Sequence, residues 1–269
     1  MEIKDYILKE AGINFIPSPN VGQDFVVMPD TIVLHYTAGG NADSAVQTFK
    51  NPLTKTSAHL IIGRDGTITQ MVPFSKIAWH AGESQYGGRT GFNKYSIGIE
   101  IDNAGLLEKR GDKYVSWFNR FYPENEVVFA VHRNEFSPRY WHAYSEIQIE
   151  KVMEVCYLLM NTYPITNILG HEEISPGRKT DPGPAFPLDK IRNRLIDSKR
   201  DSDGEEKMTG TEMNVTTDGL NIRELPDINS EKVAKPLAKN QKVKILEKKN
   251  GWAKITTSIT GWVAERYLK

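Results

Sequence analysis

The chain has 269 residues, 39% of them hydrophobic, and its 34 Lys+Arg are balanced by 34 Asp+Glu. That size suits one large globular domain plus a small one, and the missing basic excess argues against nucleic acid or an anionic membrane as partner. A single cysteine, Cys156, excludes an internal disulfide and a thiolate-dominated metal site.

The first twenty residues mix Glu2, Asp5 and Glu10 with short apolar steps and contain no signal-peptide core. No stretch approaches the length of a membrane span. As written, the chain is expected to stay on the cytosolic side, or to reach the cell wall if a leader has been removed. TIVLHYT, residues 31–37, predicts a strand rich in β-branched residues, followed by Gly39-Gly40. A short helix is expected near Asp43–Lys50. In SAHLIIGRDGTITQMVP, two apolar runs flank Asp65-Gly66, a strong hairpin signal. YSIGIEI, residues 95–101, reads as a buried strand. Residues 106–143 are rich in aromatics, among them Trp117, Phe121, Phe129, Tyr140 and Trp141, and read as an insertion. Those aromatics suit either sugar stacking, docking of the C-terminal unit or a hairpin with its own small core.

Glu146 to about Tyr163 is the clearest helix. Ser145 and Gln148 form a capping box, and Ile147, Val152, Val155, Leu158 and Leu159 give an apolar face. TNILG, residues 166–170, is a short strand. Leu188, Ile191 and Leu195 predict a last amphipathic helix. Residues 197–212, DSKRDSDGEEKMTGTE, are charged and nearly free of apolar side chains, which reads as a flexible linker. From 213 to 269, short β-like segments with Asn250-Gly251 as a turn predict a small barrel. The expected fold is therefore α/β, a mixed central sheet flanked by helices over residues 1–196, plus a small all-β barrel.

Three residues suggest a metal site. His35 lies near the end of the first strong strand. His171 follows TNILG, and Asp181 comes ten positions later in GHEEISPGRKTDPG, a loop stiffened by prolines and glycines. Two imidazoles and a carboxylate suit Zn2+ with a position left open for water. Read singly, His35 is equally a strand-end histidine and His171 a turn cap. Glu100 sits in an apolar strand, where an unpaired charge is costly, so it is a candidate general base. Otherwise it is a strand-end glutamate facing water. Lys179 is a candidate oxyanion donor or a plain loop lysine.

LHYTAGG, SAHLIIGRDGTITQMVPFSKIAWHAG, SIGIEI and GHEEISPGRKTDPG, in that order, resemble the zinc-dependent N-acetylmuramoyl-L-alanine amidases of the type-2 class, which takes in AmpD-like enzymes and peptidoglycan recognition proteins. The resemblance spans about residues 25–196. LNIREL and GWVAERYL in the tail are similar to bacterial SH3 domains. The resemblance implies one zinc on His35, His171 and Asp181, Lys179 as oxyanion donor and Glu100 as acid-base, since the alternative tyrosine position holds Ala58. It implies hydrolysis of the lactyl-L-alanine amide of peptidoglycan or muropeptides, with the SH3-like unit on the cell wall. Two alternatives stay open: a recycling amidase restricted to soluble anhydromuramyl peptides, and a non-hydrolysing peptidoglycan-binding protein. Trp79 and His80, in WHAG, are expected to contact sugar or peptide, and Arg89 is either a contact to a peptide carboxylate or a surface arginine. His59 reads as a core histidine bonded to backbone, and His132 and His142 as structural.

Overall fold

A computed structural model of the protein describes residues 1–202, 212–226, 230–249, 252–257 and 260–265. Two compact units meet between Asp197 and Ser198. In chain order, the first holds β1 (Asn14–Phe15), β2 (Thr31–Tyr36), α1 (Ala42–Lys50), β3 (Leu60–Ile62), β4 (Ile68–Gln70) and β5 (Ser96–Ile101). The insertion adds β6 (Leu106–Arg110), β7 (Lys113–Ser116), β8 (Phe121–Tyr122), β9 (Val127–Val131) and β10 (Pro138–His142). Then come α2 (Glu146–Thr162), β11 (Asn167–Gly170), the single turn α3 (His171–Ile174) and α4 (Leu188–Ser202).

The central sheet has the order β11-β2-β5-β3-β4-β1. β2 pairs in parallel with β11 and β5, β5 in parallel with β3, and β1 in parallel with β4, while β3 and β4 form the predicted hairpin. Gly66 at its tip has φ +83°, a conformation that glycine adopts without a Cβ penalty.

Alternation decides the two faces of this sheet. Ile32 and Leu34 of β2, with Ile97, Ile99 and Ile101 of β5, share one core with Val152, Val155, Cys156 and Leu159 of α2 and Leu188, Ile191 and Leu195 of α4. The opposite face carries Val33 and His35 of β2 beside Gly98 and Glu100 of β5, because Val33 pairs with Gly98 and His35 with Glu100. The chain thus places a polar pair on one face, at the C-terminal ends of two adjacent parallel strands.

Ser145 and Gln148 close the capping box of α2, with Gln148 N donating to Ser145 Oγ and Ser145 N to Gln148 Oε1. One expected core position is corrected. Ile147 is 42% exposed, whereas Gln148 is buried and donates from Nε2 to the carbonyl of Asp102. The capping geometry turns Gln148 inward and Ile147 out over Gly66. A second correction concerns the linker: α4 continues to Ser202, into the stretch expected to be flexible.

The insertion is a five-stranded antiparallel sheet, order β8-β7-β6-β10-β9. Leu107, Tyr114, Tyr122, Val127 and Tyr140 make the small core on one of its faces. The second unit is all-β. Its strands β12 (Glu212–Asn214), β13 (Lys242–Lys249), β14 (Trp252–Thr256) and β15 (Thr260–Ala264) form one antiparallel sheet. Val243, Ile245, Ala253, Ile255 and Val263 alternate into its core. The expected Asn250-Gly251 turn lies outside the described residues.

Candidate metal centre

β2 ends at the site, and the chain after β11 turns straight into α3, so His35 and His171 face each other across adjacent strands. Their Nδ1 atoms are 2.9 Å apart, and Asp181 Oδ2 lies 2.9 Å from each. All three side chains are buried. Among the described residues this is the one His/Asp cluster in which three donor atoms converge closely enough to hold a metal ion. Ligand atoms around a four-coordinate zinc at about 2.0–2.1 Å are about 3.3 Å apart, so the cluster fits such an ion after a slight opening.

The outer atoms fit as well. His171 Nε2 lies 3.0 Å from the carbonyl of Ala81, which can only accept, so a His171 that gives its Nδ1 lone pair to a cation has a partner for its Nε2–H. His35 Nε2 lies 2.9 Å from His80 Nδ1. When His35 gives its Nδ1 lone pair to a cation, its Nε2–H donates to His80. The remaining N–H of His80 then points toward Ser96 Oγ at 3.4 Å, whose hydroxyl donates to the Phe92 carbonyl at 2.6 Å. Outer partners of this kind fix tautomer and ring orientation.

Burial, reinforced by the neighbouring His171, lowers the pKa of His35 to about 4, so the ring is neutral near pH 7. Burial pushes Asp181 upward, but hydrogen bonds from His171 and His35 outweigh it and hold the carboxyl below its usual range. Neutral imidazole and ionised carboxylate are the forms that bind a metal.

Glu100 lies beside His35, and its Oε2 is buried without a hydrogen-bond partner. Burial raises its pKa well above the ordinary value; Asp181 adds to this, and Lys179 opposes it. Lys179, two residues before Asp181, acts electrostatically on both Glu100 and His35. An orphaned carboxylate oxygen under the influence of a cation, beside a candidate metal cluster, is an arrangement able to move a proton and hold an anion.

The sequence-predicted contacts divide. Trp79 is 41% exposed, with its ring beside Gly22. His80 supports His35 from behind, with its ring packed so closely over Gly98 that a Cβ there would meet His80 Cγ at 2.4 Å. Arg89 is not brought to the centre. It pairs with Asp30 at 2.7 Å and lies over the Phe92 and Tyr95 rings. Asp30 precedes β2, five residues and about 16 Å of strand from His35. His59 is the expected core histidine, accepting from Gly98 N and bonded to the carbonyl of Lys76.

Sequence reasoning missed three supports. Glu172 is buried, held by His132 at 2.6 Å and Arg133 at 2.8 Å, and it accepts from Gly183 N at 3.1 Å. The insertion thereby clamps the loop that carries Asp181. Arg178 donates to the carbonyls of Ala81 and Glu83 and to Ser175 Oγ, fixing the acceptor used by His171. Tyr36 bonds Thr180 at 2.6 Å. The adjacency of Glu172 to His171 was the one available signal. A cavity of about 640 Å³ lined by Glu83, Ser84, Ser175 and Arg178 opens nearby but holds none of the ligand residues.

A mixed α/β sheet with a His-His-Asp cluster at the ends of its parallel strands places the chain in the class of α/β proteins with a candidate metal centre. Residues 26–184 match the family N-acetylmuramoyl-L-alanine amidase, and the chain belongs to that family. Residues 218–269 match the bacterial SH3 domain. The chain is 38% identical over 147 residues to the 1,6-anhydro-N-acetylmuramyl-L-alanine amidase AmpD of Escherichia coli, covering 54% of this chain and 60% of that one. It is 30% identical over 174 residues to the N-acetylmuramoyl-L-alanine amidase AmiD of the same organism, covering 61% and 52%. It thus spans little more than half the length of these relatives. A crystal structure of a selenomethionine AmpD derivative superimposes with a TM-score of 0.51 at 28% identity, over 73% of this chain and 99% of that one.

Proposed function

We propose that this chain is a zinc-dependent N-acetylmuramoyl-L-alanine amidase that hydrolyses the amide between the lactyl group of N-acetylmuramic acid and L-alanine. The observation that carries the reading is the convergence of His35 Nδ1, His171 Nδ1 and Asp181 Oδ2 beside the unpartnered Oε2 of Glu100. One zinc ion held by those three residues would supply a Lewis acid for the carbonyl and lower the pKa of water. Glu100 accepts the proton of the attacking water and returns it to the leaving amine of L-alanine. Burial favours the protonated form that this second step requires. Lys179 offers its ammonium to the oxygen that gains negative charge as the carbonyl becomes tetrahedral. His80 and Ala81 hold the two imidazoles in their working tautomers. Trp79 and Arg89, both solvent-accessible, remain the candidates for sugar and peptide contacts.

The SH3-like segment supports polymeric wall as substrate, since a second weak site raises the effective concentration of a repetitive polymer. A second reading, action on soluble anhydromuramyl peptides alone, is favoured by the names of the AmpD relatives. Mass spectrometry of products from intact sacculi and from soluble muropeptides, run side by side, separates them. Release of stem peptides with a free L-alanine amine from either substrate is expected. Their absence from both, with zinc bound, overturns the amidase reading and leaves a binding protein.

A further inference from the structure

The insertion sheet has two unlike faces. Leu106 pairs with Trp141 and Glu108 with Val115, so Leu106, Glu108, Val115, Arg139 and Trp141 share the face opposite the small aromatic core. At one end of this face Trp141 is buried against Gly183, two residues past Asp181. Two residues back along β10, Arg139 acts electrostatically on Tyr36, whose hydroxyl bonds Thr180. The face then opens into a groove of about 540 Å³, lined by Leu106, Glu108, Val115, Trp117, Arg139 and Tyr140 among others. The surface that supports the ligand loop therefore continues outward as an open channel.

Trp117 at its edge is 74% exposed, yet its indole N–H donates at 2.8 Å to the carbonyl of Ala38, three residues past His35. Arg120 donates at 2.6 Å to the carbonyl of Gly40 in the same loop. A large aromatic face left in water but pinned by its own N–H is preorganised for a flat ligand. The charges nearby are spent on each other: Arg139 with Glu135 at 3.0 Å and Glu108 with Arg110 at 2.7 Å. A neutral, partly apolar groove with paired charges at its rim disfavours an acidic peptide. It favours an uncharged ring with an apolar face and polar edges, and its volume is in the range for such ligands.

We infer that this groove is a saccharide subsite, which takes an N-acetylated pyranose of the glycan against Trp117 while the scissile amide lies at the His35–His171–Asp181 cluster. The inference rests on the amidase reading and adds a glycan requirement to it. The probe is the tetramer of N-acetylglucosamine, a glycan without stem peptide, titrated into the full chain while the backbone resonances of Leu106 and Val115 are followed. Saturable shifts are expected, with W117A raising Kd about tenfold or more, the loss of one apolar ring contact. W117F, which keeps a ring, should retain most of the affinity, and F136S, fully exposed outside the groove, should leave it unchanged. In a second arm, kcat/KM is compared for a muropeptide carrying a tetrasaccharide and one carrying a lone muramyl residue. The wild-type ratio should exceed one and fall about tenfold in W117A. An unchanged Kd in W117A, or a ratio that does not move, overturns the subsite. Cleavage of neither substrate would instead overturn the amidase reading, with the glycan titration still deciding the groove.

Discussion

Replacing Glu100 with glutamine should make the metal-free protein more stable and the zinc-loaded enzyme nearly inactive. Glu100 Oε2 is buried without a partner, and burial lifts the carboxyl well above its ordinary pKa. A folded-state pKa raised above the unfolded value means that the native state loses stability as pH rises from about 4.5 to the folded pKa, and no more beyond it. Below the unfolded value the penalty is absent. An unsatisfied buried polar atom costs about 1–3 kcal/mol, more when charged. The attraction of Lys179 returns part of this, and the glutamine amide inherits an imperfect hole, so the net gain is about 1 kcal/mol. For a domain of this size that is a Tm increase of about 2–4 °C. Differential scanning calorimetry of chelator-treated wild type and E100Q, from pH 4.5 to 8, measures it. The gap should be widest at pH 8 and vanish toward pH 4.5. With zinc restored, turnover of a soluble muropeptide should fall about 10²- to 10⁴-fold. A Tm for E100Q at or below wild type at pH 8, or a gap independent of pH, would refute the account of an uncompensated carboxylate.

Lys179→Ala should lower kcat by about 3 kcal/mol, roughly a hundredfold, with a smaller effect on KM; a change confined to KM would recast the lysine as a ground-state contact. Gly98→Ala puts a methyl 2.4 Å from His80 Cγ and must push the ring off His35. It should destabilise by about 1–3 kcal/mol and weaken zinc binding about 10- to 100-fold in chelator competition. Unaltered zinc affinity would mean that His80 does not orient the ligand. A chain ending after Ser202 should keep the melting transition of the larger unit, because α4 and all three ligand residues lie before the cut. It should cleave soluble muropeptides at the full-chain rate and sacculi more slowly; equal rates on sacculi would remove the wall-binding role of the tail.

The two central strands were legible because TIVLHYT and YSIGIEI are short segments rich in β-branched residues. The capping box announced α2 for the same local reason. Period alone could not tell that Gln148, not Ile147, turns inward, since that depends on where the cap's hydrogen bonds go. The three metal-binding candidates were found from residue type and backbone stiffness. The role of His80 was not, because it arises from Gly98 lying on the neighbouring strand beneath its ring. The pairing of Arg89 was invisible for a related reason: its partner Asp30 sits 59 positions earlier in sequence, at the far end of the strand that bears His35. The clamp on Glu172 needs His132 and Arg133 from the insertion, about 40 residues upstream, and no local pattern reports a contact of that range.

The two imidazoles at the centre are 136 positions apart in the chain, and Asp181 is 146 from His35. They meet only once β11 has paired with β2, so in an unfolded chain His35 is remote from His171 and Asp181 and the three-donor cluster does not exist. A zinc ion held by the three residues would thus favour the native state, and by mass action it would shift the folding equilibrium by about 2.7 kcal/mol at a free concentration a hundredfold above Kd. The lifetime of this protein against proteases would then follow the free zinc of its surroundings. Starvation for the metal would remove the enzyme as well as silence it.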